Sequence, residues 1–150
     1  VHGIDSLHEL LCRAHVLVVC VPHTPSTHGL IGVRELALMP ARAVLINVGR
    51  GAVVDERALF EALRSGSLGA AGLDVWYQYP ETYAAAASTP PSAYDFGSLA
   101  NVVLSPHRGG GIGTDDVEQL RQRHIAELLN AAGRNGIGLM PNRWDLKRGY

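Results

Sequence analysis

Apolar and polar positions fall in blocks along this chain, and the period changes from block to block. Residues 16–21 form an unbroken apolar run rich in valine, which predicts a strand covered on both faces. Pro22 and Pro25 stop it, and Thr24, Ser26 and Thr27 make the next turn polar. Residues 43–47 and 70–75 read as two more buried strands and 102–104 as a fourth. Helical spacing lies between them. Ser6 and Glu9 read as a capping box ahead of Leu10 and Leu11, with Leu7 on the same apolar face. Residues 36–39 predict a short helix stopped by Pro40. Asp55 caps a helix that turns Ala58, Leu59, Ala62 and Leu63 inward and closes at Gly66. A last helix is predicted over 114–132, with Gly133 as its stop. Residues 77–100 are rich in Pro, Ser, Ala and Tyr. They exceed the roughly 12–15 residues usual for a loop in a compact domain, and such loops are often functional. Strands alternating with helices predict an α/β fold built on a parallel, doubly wound sheet.

Composition narrows the class. At 150 residues and 47% hydrophobic, the chain can bury a real core. A formal net charge of −1, with no charge blocks, gives no sign of a nucleic-acid or membrane-surface partner. No apolar run reaches the roughly 20 residues of a membrane helix. Cys12 and Cys20, set in apolar surroundings, read as reduced thiols rather than a disulfide framework, so a cytoplasmic setting is expected. The first residue is Val1, which fits a chain cut from something longer. The tail, residues 134–150, is polar, and Trp144 is expected to dock on another surface.

Three polar tips carry the chemistry. Asn47-Val48-Gly49-Arg50-Gly51, with Asp55 beyond, follows one strand; Asp74-Val75-Trp76 ends the next; Ser105-Pro106-His107 follows the last. In an open α/β sheet the carboxyl edge is where ligands sit. Arg50 offers a planar fork suited to a carboxylate, or it binds carbonyl oxygens in its own turn. Its flanking glycines permit close approach of a ligand or positive φ. Asp74 can cap nearby amides or hold a ligand amide. His107 can move a proton near neutral pH. Other signals are weak. His8-Glu9-Leu10-Leu11-Cys12 has a cysteine where a zinc protease has its second histidine, and His23 and His28 lie in a proline-broken turn. No metal site is predicted.

The order and spacing of these blocks resemble the D-2-hydroxyacid dehydrogenase family, in the second half of its nucleotide-binding domain. The resemblance covers residues 1–133. It implies an oxidoreductase that transfers a hydride between NAD, with NADP not excluded, and a small 2-hydroxy or 2-oxo acid. By resemblance Arg50 binds the substrate carboxylate, Asp74 holds the nicotinamide carboxamide and His107 is the acid/base. Val21, Pro22, Thr27, Val48, Gly49, Gly109 and Gly110 match positions that line the cofactor. The family places a glutamate five residues after the aspartate to pair with the histidine; Tyr79 stands there instead, with Gln78 and Glu81 close by. A phenol can bond imidazole but brings no charge at neutral pH. Formate dehydrogenases of the superfamily follow Asp-Val-Trp with a glutamine, and Gln78 lies one residue out of that register.

Nothing before Val16 matches the Gly-x-Gly-x-x-Gly turn that seats a pyrophosphate, nor the acidic residue that grips the ribose. The expected fold is therefore a partial Rossmann-like sheet lacking its first β-α-β unit. In the order 3-2-1-4-5-6, residues 16–21 are assigned to strand 3 and 43–47 to strand 4, with two absent strands between them. Either a missing N-terminal portion or a second copy supplies partners, or the strands pair anew. Taken alone, the chain is then expected to lack catalysis, and a non-catalytic association module is the alternative reading.

Overall fold

The computed structural model describes residues 2–110 and 113–136. The chain divides into two compact units, Val1–His107 and Arg108–Tyr150, each described by itself. The first holds a four-stranded sheet of β1 (Val16–Val19), β2 (Val44–Asn47), β3 (Ala70–Leu73) and β4 (Val102–Leu104). All neighbours are parallel and lie in sequence order, β1-β2-β3-β4. Helix α1 (Leu7–Leu11) precedes β1, α2 (Val33–Leu38) and α3 (Glu56–Ser65) lie in the β1–β2 and β2–β3 connections, and 3-10 turns lie between β3 and β4.

This topology corrects the expected strand order. Val16 pairs with Val44 and Val19 with Asn47 in continuous register, so no strand is missing between β1 and β2. The chain from Cys20 to Ala43 is long enough to provide the crossover that two neighbouring parallel strands require.

Burial also departs from expectation at the two outer strands. Val16 and Val18 are 56% and 52% exposed, and Val103 is 73% exposed, so β1 and β4 are not covered on both faces. Apolar content alone does not distinguish a central strand from an edge strand; position in the sheet does. The core sits around β2 and β3, where Leu45, Ala71 and Leu73 meet Val53, Val54, Leu59 and Leu63. Both cysteines are exposed, which corrects their expected apolar surroundings.

The helix signals act locally much as their chemistry dictates. Asp55 Oδ1 accepts the Ala58 amide at 2.7 Å, and Gly66 closes α3 at φ 76° in the left-handed region. Ser6 makes no side-chain cap on α1, because a 3-10 turn over Ile4–Ser6 already leads into it. Glu9 is therefore not part of a capping box. Glu35 takes that role on α2: one oxygen accepts the Gly32 amide at 3.1 Å, and the other meets His8 Nε2 of α1 at 2.8 Å. Burial pushes the Glu35 carboxyl up. The bonds from His8 and from the Glu35 and Gly32 amides, with the attraction of His8, outweigh it and hold the group below its ordinary value.

Residues 77–100 are tied to the body at several points. Tyr77 and Gln78 amides donate to the Pro91 carbonyl at 3.1 and 3.0 Å. Glu56 Oε1 accepts from Ser92 Oγ and the Ala93 amide. Phe60 of α3 stacks on Tyr94 and meets Phe96 edge-on, and Phe96 is fully buried. Tyr77 is pushed far up by burial, with Glu56 and Asp55 adding to it, so its phenol stays protonated.

In the second unit, α4 spans Asp115–Asn135, and Gly136 with φ 76° stands at its end. Gly133, expected as the stop, lies inside this helix. Trp144 lies outside the described residues.

Candidate active site

The parallel register aligns the polar tips. The Asp74 amide donates to the Asn47 carbonyl at 3.0 Å, and the Ser105 amide to the Leu73 carbonyl at 2.8 Å. Asn47, Asp74 and Ser105 thus end three adjacent strands at the carboxyl edge. Asn47 is 1% exposed and shapes the turn that follows. Its Oδ1 accepts the Gly49 amide and its Nδ2 donates to the Arg50 carbonyl, both at 3.1 Å.

The glycines of this turn serve a different purpose from the expected one. Neither Gly49 nor Gly51 has positive φ. A Cβ on Gly49 would come 2.7 Å from the Val21 carbonyl oxygen, and one on Gly51 would fall closer still to that of Trp76. They let three strand-end segments pack backbone to backbone. Arg50 is exposed, and its Nη1 donates to the Gly49 carbonyl at 2.7 Å, the second of its two expected behaviours.

Asp74 is 7% exposed and accepts a short hydrogen bond from the Ser105 hydroxyl. The indole Nε1 of Trp76 donates to the Ser105 carbonyl at 2.9 Å. Together these bonds fasten the end of β3 to the segment that carries His107.

Tyr79 meets His107 directly. The Tyr79 hydroxyl lies 3.1 Å from His107 Nδ1 and accepts the Trp76 amide at 3.0 Å. Both rings line an open cleft of about 420 Å³, with Gln78 and Ser105 also in its wall. Of the three candidates near the family glutamate position, Tyr79 is the one bonded to the imidazole. His107 has φ 59°, a left-handed conformation that costs a non-glycine residue about 1–2 kcal/mol. Strain of this kind persists where the surroundings over-determine the backbone.

The remaining expected positions of the first unit lie outside this cleft. Val21 and Val48 are 38% and 45% exposed just beyond β1 and β2. Thr27 is occupied with its own turn: its hydroxyl donates to the Pro22 carbonyl and accepts the Thr24 amide, both at 2.8 Å. Arg50 and Asp74 do not line the cleft of Tyr79 and His107. Gly109 and Gly110 form an exposed turn in the second unit.

Residues 1–109 match the family model described as D-isomer specific 2-hydroxyacid dehydrogenase, NAD binding domain. The chain belongs to the D-isomer specific 2-hydroxyacid dehydrogenase family. It is 42% identical over 138 residues to glyoxylate/hydroxypyruvate reductase B of Erwinia tasmaniensis, covering 87% of this chain and 39% of that protein. It is 35% identical over 134 residues to D-3-phosphoglycerate dehydrogenase of Methanocaldococcus jannaschii, covering 89% of this chain and 23% of that one. A D-isomer specific 2-hydroxyacid dehydrogenase from Xanthobacter autotrophicus Py2, solved with NADPH and MES, superposes with a TM-score of 0.77 at 32% identity, covering all of this chain and 44% of its own. The chain thus spans less than half the length of these relatives. The α/β, Rossmann-like architecture and an NAD(P)-binding ancestry stand on these matches together with the parallel sheet.

The fastening bonds are not legible in one dimension: Ser105 and Trp76 read only as motif neighbours, and Glu56 as an ordinary acid at a helix start. A polar residue ending each of two adjacent strands was the available signal for Asp74 with Ser105. No local signal marked Glu56, whose partners lie 36 and 37 positions away.

Proposed function

We propose that this chain forms the catalytic edge of an NAD(P)-dependent reductase of small 2-oxo acids, acting in reverse on the 2-hydroxy acids. The observation that carries the reading is the Tyr79–His107 contact in the wall of a cleft, one strand away from a buried carboxylate, Asp74. The bound nicotinamide cofactor supplies or receives the hydride. The donor set fits it: exposed Val21 and Val48 offer apolar contact at the sheet edge, and Asp74 offers an acceptor for a carboxamide. His107 delivers a proton to the carbonyl oxygen as hydride reaches the carbon, and takes it back in the oxidative direction. Arg50, exposed and bonded within its own turn, releases the Gly49 carbonyl to grip the substrate carboxylate bidentately.

The test is NADH- and NADPH-dependent reduction of glyoxylate and hydroxypyruvate, followed by cofactor absorbance, in the complete enzyme that carries these residues. The expected result is activity lost in His107→Gln; full activity in that variant removes His107 from the reaction. The 150 residues contain no Gly-x-Gly-x-x-Gly turn, so by themselves they are expected to bind the dinucleotide weakly and to turn over nothing. Micromolar affinity by calorimetry would overturn that part.

A second reading, association between copies, has one observation in its favour: Val16 and Val18 are exposed on the outermost strand β1. A sedimentation profile that stays monomeric across concentrations would remove it.

A further inference from the structure

A carboxylate beside an imidazole can only accept, so it draws the neutral ring into its Nδ1–H form. Tyr79 imposes the reverse requirement. Its hydroxyl oxygen already accepts the Trp76 amide at 3.0 Å, and its single proton has His107 Nδ1 at 3.1 Å. Accepting from an amide polarises the hydroxyl and strengthens it as a donor. Were Nδ1 to carry the hydrogen instead, the same oxygen would accept twice and its own proton would turn to solvent. Among the described residues, the cleft wall holds no carboxylate, lysine or arginine to oppose the first arrangement.

We propose that Tyr79 donates to His107 Nδ1 and fixes the neutral imidazole as its Nε2–H tautomer, leaving a hydrogen-bond donor for the cleft. The inference concerns the neutral ring and rests on the role given to His107 above: delivering a proton needs the imidazolium, whose Nδ1–H the Tyr79 oxygen then accepts, so Tyr79 is a positioning residue. It also names the ligand preference of the site. A neutral ring that presents N–H has the carbonyl oxygen of a 2-oxo acid as its acceptor, whereas the hydroxyl of a 2-hydroxy acid can accept from it but meets no base for its own proton. A carboxylate-paired imidazole, whose neutral form presents a lone pair, favours the hydroxyl.

The experiment is long-range proton–nitrogen NMR on the ¹⁵N-labelled 150-residue chain near pH ~8.5, where an ordinary histidine is neutral. His107→Gln assigns the signal. The expected spectrum shows protonated Nε2 and bare Nδ1 in the wild type. In Tyr79→Phe the Nδ1 signal shifts toward that of an exposed histidine, and in Tyr79→Glu the ring switches to Nδ1–H. Tyr79 is half exposed, so both variants are expected to fold. An Nδ1–H wild type, or a wild-type Nδ1 signal identical to that of Tyr79→Phe, overturns the proposal. Because the spectrum needs no turnover, a correct tautomer in a protein without reductase activity would sink the reading of the reaction and leave this one standing.

Discussion

Glu56, at the start of α3, accepts the Ser92 hydroxyl at 2.6 Å and so pins the long 77–100 segment to the helix beneath it. The same carboxylate oxygen takes the Ala93 amide at 2.8 Å, and the neighbouring Pro91 carbonyl receives the Tyr77 and Gln78 amides. Tyr79 follows immediately. Glu56→Ala leaves a buried hydroxyl and an amide without their acceptor, at a cost of about 1–3 kcal/mol. The expected outcome is a lower urea midpoint and faster proteolytic nicking within residues 77–93. Unchanged values for both would show that the segment is held without Glu56.

Gly51→Ala is expected to be among the more damaging single-methyl additions in the chain. The new Cβ would meet backbone, the Trp76 carbonyl, which cannot swing aside as a side chain can. A cost of about 1–3 kcal/mol is expected, typical of overpacking. Gly3→Ala, with nothing within 4 Å, is the matched control and should stay within about 0.5 kcal/mol of wild type. Equal denaturation midpoints for the two variants would contradict the close approach.

The Glu35–His8 contact links α1 to α2 and makes stability depend on acid. Glu35 is held below its ordinary value in the folded protein, so its contribution is fully present above the unfolded carboxylate value near ~4.3 and disappears as pH falls through the folded one. Urea midpoints should therefore drop on acidification. Glu35→Gln should flatten that part of the profile, and a profile of unchanged shape would remove Glu35 as its source.

Arg50→Lys in the complete enzyme should lower kcat/KM for 2-oxo acids by about 100-fold, since a point charge replaces a fork and the carboxylate is no longer aligned. Kinetics equal to wild type would mean that Arg50 serves only its own turn.

Tyr79→Glu in the complete enzyme should move the alkaline limb of the reduction rate to higher pH, because the new carboxylate stabilises the protonated form of its partner. A limb that moves instead on Glu81→Gln would name a different partner in solution.

Much of this protein is legible in its residues because the signals are local. Asp55 and Gly66 bound α3 through bonds and φ values that need only a few neighbouring residues. The end of β2 coincides with the expected Asn47, whereas β3 stops at Leu73, two residues short of the expected Val75. Tyr79 stands out by its distance from Asp74, and its meeting with His107 follows from β3 and β4 lying side by side. Strand order is another matter. A run of valines states that a strand exists but not which strand pairs with it, and the ladder between Val16 and Val44 had to decide. The same holds for burial: Val16 and Leu45 read alike in one dimension, yet Val16 lies on an edge while Leu45 lies at the centre. The purpose of Gly49 and Gly51 also waited on the fold, since the carbonyls that forbid a side chain there belong to segments distant in sequence. Local chemistry thus determined the elements and their polar tips. Only the packing of strand on strand decided which tips became neighbours, because hydrogen-bond registry and steric exclusion act between segments that the sequence keeps apart.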